Sequence, residues 1–384
     1  MRLNSVTPMD EFRAGVRQFI AQRQPGPKRH TGVRAPEAAL VPEIRRFIAD
    51  LFAEGYLGAS WPESFGGRPD YEPAEAYVVA EEIAQAGTWA PIGAGTHLAA
   101  PALIDFGTPA QQAEFLPKIR SGEHLWCQLF SEPGAGSDLA GLSTRATLDG
   151  GEWVINGQKV WTTNGHHADM GYLLARTDPT APKHRGITAF ALDMRTPGVD
   201  VRPLREITGT SDFNEVFLDD VRIPADRVIG AVNDGWKVAN SSLAHERSGV
   251  AASSVELVKR LHELRQLAGD ERARDLGRIA TRVLVSDAMS KAVQSHTLAG
   301  TEDAADPAAV KIFFSEANLA LAEAGMEWQG VEGILAEGDG GAVAEGWWQD
   351  AFLYARAYTI AGGATEVLKN VISERALGMP REPR

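Results

Sequence analysis

The sequence pattern predicts one carboxylate, that of Glu246, at a buried position, where a charged group has a high desolvation cost. Apolar spacing predicts a helix over residues 236–250, with a stripe formed by Trp236, Ala239, Leu243 and Val250. Glu246 falls in the middle of that stripe, and Arg247 points about 100° away, so it cannot simply neutralise the carboxylate. An interior carboxylate must be paired or protonated, and catalytic bases are found at such positions. Glu246 is therefore either a catalytic base or the buried partner of an arginine elsewhere.

The sequence motifs of other common enzyme and nucleotide-binding classes are incomplete or absent. Residues 134–139 begin like a dinucleotide-binding fingerprint but have leucine at the position of the third glycine, and the sequence has no phosphate-binding Gly-Lys-Ser/Thr loop. His245 and His262 each precede a glutamate, yet neither pair is followed by the second histidine of a zinc-protease helix. The pair His166-His167 is more typical of a solvated loop than of a metal site. We therefore expect no metal.

Composition narrows the class of protein. The chain has 384 residues, of which 44% are hydrophobic and 23% charged, as in globular proteins. Its formal net charge of −13 disfavours nucleic acid as a partner, because binding to a phosphate backbone depends on Lys and Arg. Cys127 is the single cysteine, which excludes an intrachain disulfide. With no signal-peptide pattern and no long apolar run, we expect a cytoplasmic protein with no membrane contact.

The predicted secondary structure that must position Glu246 changes twice along the chain, from helices to strands and back to helices. Helical spacing predicts helices in the first third, around residues 8–20, 44–52, 73–86 and 109–120. Short β-branched and aromatic runs between about 125 and 230 predict a small antiparallel barrel or sandwich. Within it, Asp149-Gly150 and Asn156-Gly157 predict hairpin turns.

The last third predicts an antiparallel helical bundle. Long stretches rich in Ala, Leu, Arg and Glu cover residues 236–266, 271–299, 307–325 and 347–377. We therefore divide the chain into a helical domain (1–124), a β domain (125–230) and a second helical domain (231–384).

Three further segments resemble one enzyme family. They are residues 131–139 (SEPGAGSDL), residues 156–165 (NGQKVWTTNG) and residues 360–378, which contain IAGGATEV and NVISERALG. In this order and combination they closely resemble the acyl-CoA dehydrogenase family, over nearly the whole chain. The resemblance implies a mostly α fold: an α-helical N-terminal domain, a small antiparallel β-barrel in the middle and a C-terminal four-helix bundle. That architecture agrees with the element pattern.

The resemblance implies FAD as the cofactor. Trp161 matches the indole that packs on the flavin, and Thr163 matches the threonine that reaches toward its N5 region. The residues that would bind the cofactor are Gln128, Phe130, Ser131, Ser137, Trp161, Thr162, Thr163, Glu327, Gly330, Ala364 and Glu366. Those that would bind the substrate are Ser137, Arg247 and Gly362. A flavin needs an apolar wall and a few fixed polar groups from its protein.

The resemblance also implies α,β-dehydrogenation of an acyl-CoA thioester in lipid metabolism. One branch of the family carries its base in the C-terminal loop, at the position of Gly362, which cannot take a proton. Other branches, including the isovaleryl-type enzymes, place the base on the bundle helix in a Glu-Arg pair, which Glu246-Arg247 matches. Glu246 would remove the α-proton while the β-hydride passes to flavin N5. The Gly362 N–H would help to hold the thioester oxygen.

The resemblance further implies partners. Electron-transfer flavoprotein is the expected electron acceptor, and a homotetramer or dimer is the expected assembly. The family's Arg-x-x-Phe-Gly sequence, with which a neighbouring subunit holds the adenine end of FAD, is not found between residues 250 and 300. A heterotetramer is therefore an alternative, with this chain as a non-catalytic or half-site subunit. A flavin oxidase or monooxygenase on the same fold is another. The sequence does not specify the acyl group.

Overall fold

The first part of the chain is helical. A computed structural model describes residues 7–244, 249–303 and 305–381. Its early helices are α1 (Pro8–Arg23), α2 (Val41–Ala53), α3 (Ala74–Ala86), α4 (Ala100–Phe106) and α5 (Pro109–Arg120), with a π-helix at Gly95–Ala99. The helices α1 and α5 begin alike, because Thr7 and Thr108 each form a capping box with the residue three positions on, and a proline follows. The π-helix and α4 were not predicted.

The middle of the chain forms one sheet of eight strands. They are β1 (Trp126–Leu129), β2 (Arg145–Asp149), β3 (Glu152–Thr163), β4 (Met170–Arg176), β5 (Ile187–Asp193), β6 (Val199–Leu204), β7 (Phe213–Pro224) and β8 (Val228–Ile229). The strand order is β6-β7-β3-β2-β4-β5-β8, and β1 pairs with β4. Most pairs are antiparallel, as expected, but β1 and β2 both lie parallel to β4. The predicted Asp149-Gly150 turn connects β2 and β3.

The prediction of a hairpin turn at Asn156-Gly157 is wrong. Strand β3 runs through both residues, and a register shift after Ile155 marks a β-bulge against β7. Glycine is required at 157 because a Cβ there would overlap Thr144. The Asn156 amide donates to the Asp220 carboxylate at 2.9 Å and accepts from the Asp220 N–H. The Asn-Gly pair therefore serves close packing between strands.

The last part of the chain is helical again. Its elements are α6 (Gly235–Ala244), α7 (Gly249–Leu267), α8 (Ala273–Ala299), α9 (Asp306–Trp328), α10 (Trp347–Tyr358), α11 (Thr365–Val371) and a π-helix at Ile372–Ala376. The stretch 347–377 is interrupted after Tyr358 by a turn in which Gly362 and Gly363 have left-handed φ angles of 66° and 103°. The predicted order of helices, sheet and helices is confirmed. Across the described ranges, no helix is both long and apolar enough to cross a membrane.

The N-terminal helices and one face of the sheet share a single apolar core. Ile44 of α2, Leu98 of the π-helix and Phe115 of α5 belong to the same buried cluster as Trp126 of β1 and Tyr172 of β4. The other face of the sheet has its own cluster, and so does the bundle formed by α7–α10. Strands β4 and β5 are consequently buried on both faces.

One arginine joins the three parts of the chain. Arg34 follows α1 and is 3% exposed. Its guanidinium donates to Asp212, just before β7, at 2.9 Å, and to both carboxylate oxygens of Asp350 on α10 at 2.8 and 2.7 Å. It also lies 4.3 Å from the centre of the Tyr354 ring. Because the planar guanidinium fits carboxylates in a fixed fork geometry, this contact fixes orientation as well as distance.

Replacing Arg34 with methionine should lower the free energy of unfolding by about 3–5 kcal/mol, because two buried carboxylates lose their counter-charge. Urea denaturation measures this value. Arg29→Met is the control, since Arg29 is 62% exposed in its pair with Glu337 and should matter little. Equal stability losses in both variants would contradict the role given to Arg34.

The same junction predicts a pH dependence. His30 lies 3.5 Å from Asp350 and 3.1 Å from Glu337. The hydrogen bond to Asp350 raises the pKa of His30 above its usual 6.5, despite partial burial and the nearby Arg34. Its protonation therefore stabilises the fold below pH 6.5, and this contribution is lost as the pH rises through the raised pKa. The stability difference between wild type and His30→Gln should be larger at pH 5.5 than at pH 9. A difference that grows with pH would contradict this assignment.

Candidate functional site

The residues expected to face the flavin lie on two adjoining segments of the sheet. Gln128 is half-buried on β1, and Phe130, just after β1, packs against the Tyr172 ring at 5.0 Å between centres. The Ser131 carbonyl accepts a hydrogen bond of 2.9 Å from the Val160 N–H of β3. The structure therefore brings the segment 128–131 beside the segment 160–163.

Trp161 presents an unusual surface beside this junction. Its φ angle is 58°, a left-handed conformation that bulky residues rarely adopt. The residue lies in a register shift of β3 against β7, and it is 61% exposed. Its ring centre lies 6.0 Å from that of Phe213, in an edge-to-face arrangement. Such strain persists only where the surroundings enforce it, and it clusters at functional sites. The indole offers a flat apolar face to a planar ligand.

Two polar groups next to Trp161 have no partner among the described residues. Thr162 is fully buried, and its Oγ1 makes no hydrogen bond there, although its carbonyl accepts one from Asn214. The Oδ1 atom of Asn164 is also buried and makes no hydrogen bond to the described residues. Because buried polar groups are normally paired, these two atoms point to a missing ligand or water. Thr163 is half-buried at the end of β3.

A buried ion pair supports the loop that follows β1. Lys159 is fully buried, and its ammonium donates to Glu132 at 2.7 Å and to the Phe130 carbonyl at 3.1 Å. Glu132 also accepts hydrogen bonds from the backbone N–H groups of Ser143 and Thr144. Burial would raise the pKa of Glu132, but Lys159 and these hydrogen bonds outweigh it and hold the pKa at about 2. Sequence reasoning did not single out this pair.

The C-terminal loop is held by a lysine. Gly362 is exposed, Ala364 is half-buried and Glu366 is exposed at the start of α11. Lys311 of α9 donates to the Gly363 carbonyl, which fixes the turn. The Gly362 N–H makes no hydrogen bond to the described residues and is therefore free to donate to a ligand.

The remaining predicted residues lie apart from the segments around Trp161 and from the C-terminal turn around Gly362. Glu327 and Gly330 are exposed at the far end of α9 from Lys311. Sixteen residues at 1.5 Å per residue separate Glu327 from Lys311, or about 24 Å. Ser137 is exposed in the loop after β1. Glu246 and Arg247 lie outside the described residues.

A cavity of about 1220 Å³ lies between the N-terminal helices and the bundle. Its walls include Thr96 and Ile104 near α4, Leu257 of α7, Phe314 of α9 and Tyr358 of α10. None of the described residues predicted to bind cofactor or substrate lines it. Helix α7, which forms one wall, begins three residues after Glu246, so the two Cα atoms are at most about 11 Å apart. The residues of this helix that line the cavity begin at Ser253, seven positions after Glu246 in the sequence.

The cavity contains polar side chains that the sequence did not reveal. Burial lowers the pKa of His97 to about 4, which keeps this imidazole neutral at pH 7. His97 lies on the π-helix, a distortion found frequently at functional sites. No local sequence signal marks it, because its setting depends on segments distant in the chain. Cys127 is no candidate nucleophile, since burial raises its pKa to about 12. The described residues contain no cluster suited to a metal ion.

Three family models match the chain. The acyl-CoA dehydrogenase N-terminal domain matches residues 9–123, the middle domain matches residues 127–221 and the C-terminal domain matches residues 233–377.

Two relatives come from Mycobacterium tuberculosis (strain ATCC 25618 / H37Rv). Acyl-CoA dehydrogenase FadE34 is 41% identical over 384 residues, which cover 95% of this chain and 52% of FadE34, so the chain spans about half of that relative. Acyl-CoA dehydrogenase IpdE1 is 39% identical over 388 residues, which cover 98% of this chain and 99% of IpdE1.

Solved structures agree with these matches. The Tcur3481-Tcur3483 steroid ACAD has a TM-score of 0.88 at 29% identity, with 100% of both chains covered. The ChsE4-ChsE5 complex from Mycobacterium tuberculosis has a TM-score of 0.85 at 29% identity, with 99% of this chain and 100% of the other covered. With matches over all three of its parts, the chain belongs to the acyl-CoA dehydrogenase family of flavin-dependent oxidoreductases.

Proposed function

We propose that this chain oxidises an acyl-CoA thioester at its α and β carbons, with Glu246 as the base. The observation that carries this proposal is the cavity along α7, because that helix begins three residues after Glu246 and the cavity is large enough for an acyl group. A bound acyl group would exclude water from the cavity, which would raise the basicity of a carboxylate toward that needed for a weak carbon acid.

The residues around Trp161 fit FAD. The exposed indole supplies an apolar wall, and the unpartnered Oγ1 of Thr162 supplies a buried polar contact. Gln128, Phe130, Ser131 and Thr163 would complete this side of the site. When bound, FAD would supply the acceptor for the β-hydride.

Other residues would hold the thioester. The free N–H of Gly362 would donate to the carbonyl oxygen as negative charge develops there. Lys311 would act as a positioning residue, because it fixes the next carbonyl of the same turn. Ser137, exposed in the loop after β1, and Arg247 would contact the polar part of the substrate.

The separation along α9 favours an oligomer. Glu327 and Gly330 lie about 24 Å from the Lys311 end of the helix, so they would reach the adenine side of a cofactor held by another subunit. Exposed Val331 and Ile334 beside them supply apolar surface for such a contact. Either a homotetramer or a heterotetramer would place a second subunit here, and two structural neighbours carry paired names. Electron-transfer flavoprotein would reoxidise the enzyme, and the cytoplasm would be its location.

The size of the cavity favours a bulky acyl group. A volume of about 1220 Å³ exceeds that of most small-molecule sites. One structural neighbour is named a steroid ACAD, which indicates that this fold can accept a polycyclic group. We therefore propose a polycyclic acyl-CoA as the substrate class.

Replacing Glu246 with glutamine should leave flavin bound but reduce turnover about 10²-fold to 10⁴-fold, because the α-proton loses its base. Turnover is measured with a dye acceptor, and flavin reduction by the loss of its visible absorbance. Glu263→Gln, on α7 in a pair with Arg260, is the control and should retain activity. Normal flavin reduction in the Glu246 variant would remove this residue from the mechanism. Absence of flavin from the wild-type chain would instead favour a non-catalytic subunit.

Replacing Lys159 with methionine should lower the flavin-to-protein ratio and reduce the free energy of unfolding by about 3–5 kcal/mol, since Glu132 would be buried without its counter-charge. Absorbance and urea denaturation measure the two effects. The matched control is Lys183→Met, because Lys183 forms an exposed pair with Asp138 next to the same loop. Unchanged flavin content in the Lys159 variant would show that the pair does not support the cofactor loop.

A further inference from the structure

The β-bulge near the end of β3 has a tryptophan at a position where glycine is usual. The register of β3 against β7 shifts between Lys159 and Thr162, where β3 holds one residue more than β7. A bulge that needs a left-handed residue normally has glycine there, because glycine has no Cβ. Here the left-handed residue is Trp161, with a φ angle of 58°.

The strain at Trp161 is not offset by burial of its ring. A left-handed backbone is unfavourable for a residue with a Cβ, and it persists only where the surroundings enforce it. Trp161 is 61% exposed, so its indole contributes little to the core. A strained residue with an outward-facing ring is therefore better explained by a ligand than by packing within the chain.

The side chain of Asn214 holds the residue that follows Trp161. Asn214 is fully buried on β7, and its Nδ2 donates to the Thr162 carbonyl at 2.9 Å. On the far side of the bulge, the Asn164 N–H donates to the Asp212 carbonyl at 3.0 Å. A change of Trp161 to the extended conformation would move the Thr162 carbonyl away from Asn214 and break their hydrogen bond.

His166 fixes the orientation of the Asn214 amide. A carbonyl can only accept a hydrogen bond, so the amide nitrogen of Asn214 must face Thr162 and the amide oxygen must face away from it. That oxygen lies 2.9 Å from Nδ1 of His166, which must therefore carry the proton and donate. If the amide turned over, two acceptor oxygens would face each other at Thr162.

The imidazole of His166 is itself held in place. A Cβ on the preceding Gly165 would lie only 3.3 Å from Nδ2 of Asn214, so the turn packs tightly against the amide. The ring of His167 lies 4.1 Å from that of His166, and its Nε2 donates to the Pro36 carbonyl at 2.8 Å. His166 therefore has the amide on one side and an anchored ring on the other.

We propose that Asn214 and His166 are positioning residues, which hold Trp161 in the left-handed conformation that presents its indole to the flavin. This inference rests on the proposed FAD site around Trp161. Asn214 acts through the Thr162 carbonyl, and His166 acts through the amide of Asn214.

The first test is a double-mutant cycle on the rate at which the holoenzyme releases flavin, measured by the rise in flavin fluorescence on dilution. Trp161→Gly removes the indole and should speed release about 10-fold, and Asn214→Leu should have a similar effect because the indole is no longer held. In the double variant the rate should stay about 10-fold above wild type, since no indole is left to position. Independent effects would multiply to about 100-fold and would overturn the proposal.

The second test changes His166, which is exposed, so that no substitution enters the core. His166→Asn places an amide nitrogen at the position of the imidazole Nδ1 and should keep flavin release slow. His166→Leu removes the donor and should speed release about 3-fold to 10-fold. Equal rates in the two variants would contradict the role of His166. This pair also decides the question if Asn214→Leu does not fold.

Asn156→Leu is the matched control. Asn156 connects β3 to β7 at their other register shift, where its amide donates to Asp220 at 2.9 Å. It lies five residues before Trp161, and its loss should leave the rate of flavin release unchanged. Release as fast as in Asn214→Leu would show that any weakened contact between these strands loosens the flavin, and the positioning role would be wrong.

A crystal structure of Asn214→Leu tests the geometry without reference to flavin. Residue 161 should leave the left-handed region, whereas a φ angle that stays near 58° would contradict the proposal. Absence of flavin from the wild-type chain would instead reject the proposed FAD site. The φ angle in the variant would then still decide whether Asn214 positions Trp161.

Discussion

The structure depends on the position of the Arg34 guanidinium. Its two carboxylate partners come from the segment before β7 and from α10, so one side chain connects the N-terminal helices, the sheet and the bundle. The segment 27–33 just before it forms part of the cavity wall. Because the fork geometry of the guanidinium leaves little freedom, the wall is fixed relative to both neighbouring domains. The shape of the cavity is thus a consequence of this ion triad.

Different structural elements hold the different parts of the candidate site. The sheet holds Trp161 in a strained conformation, and the buried pair of Lys159 and Glu132 braces the loop beside it. The turn at Gly362 is held by a lysine on α9 and by the Thr365 N–H, which donates to the Thr359 carbonyl across the turn. Strained groups need firm support, and the pairing of β3 with β7 and the buried ion pair provide it. The bundle supplies the cavity, whose walls come from both ends of the chain.

The sequence allowed much of this to be predicted, for physical reasons that differ by residue. Helical periodicity was sufficient for the bundle, whereas the roles that motif likeness gave to Trp161 and the C-terminal turn stay predictions. Asn156-Gly157 misled because glycine serves close packing as well as turns. His97 could not have been predicted to line the cavity, because no local pattern marks it and the cavity walls come from distant parts of the chain. The distance between Glu327 and Gly362 could not be predicted either, because it depends on the length and direction of α9.

The core shared by the N-terminal helices and the sheet limits how this fold can be recombined. A cut between residues 124 and 125 would fall inside one continuous apolar cluster that extends from Val41 of α2 to Ala239 of α6. Chimeras that exchange only the middle part with a relative would place mismatched side chains across that cluster. Residues 41–239 should therefore be inherited, or transplanted, as one module. The three recognisable sequence domains are not three independent building blocks.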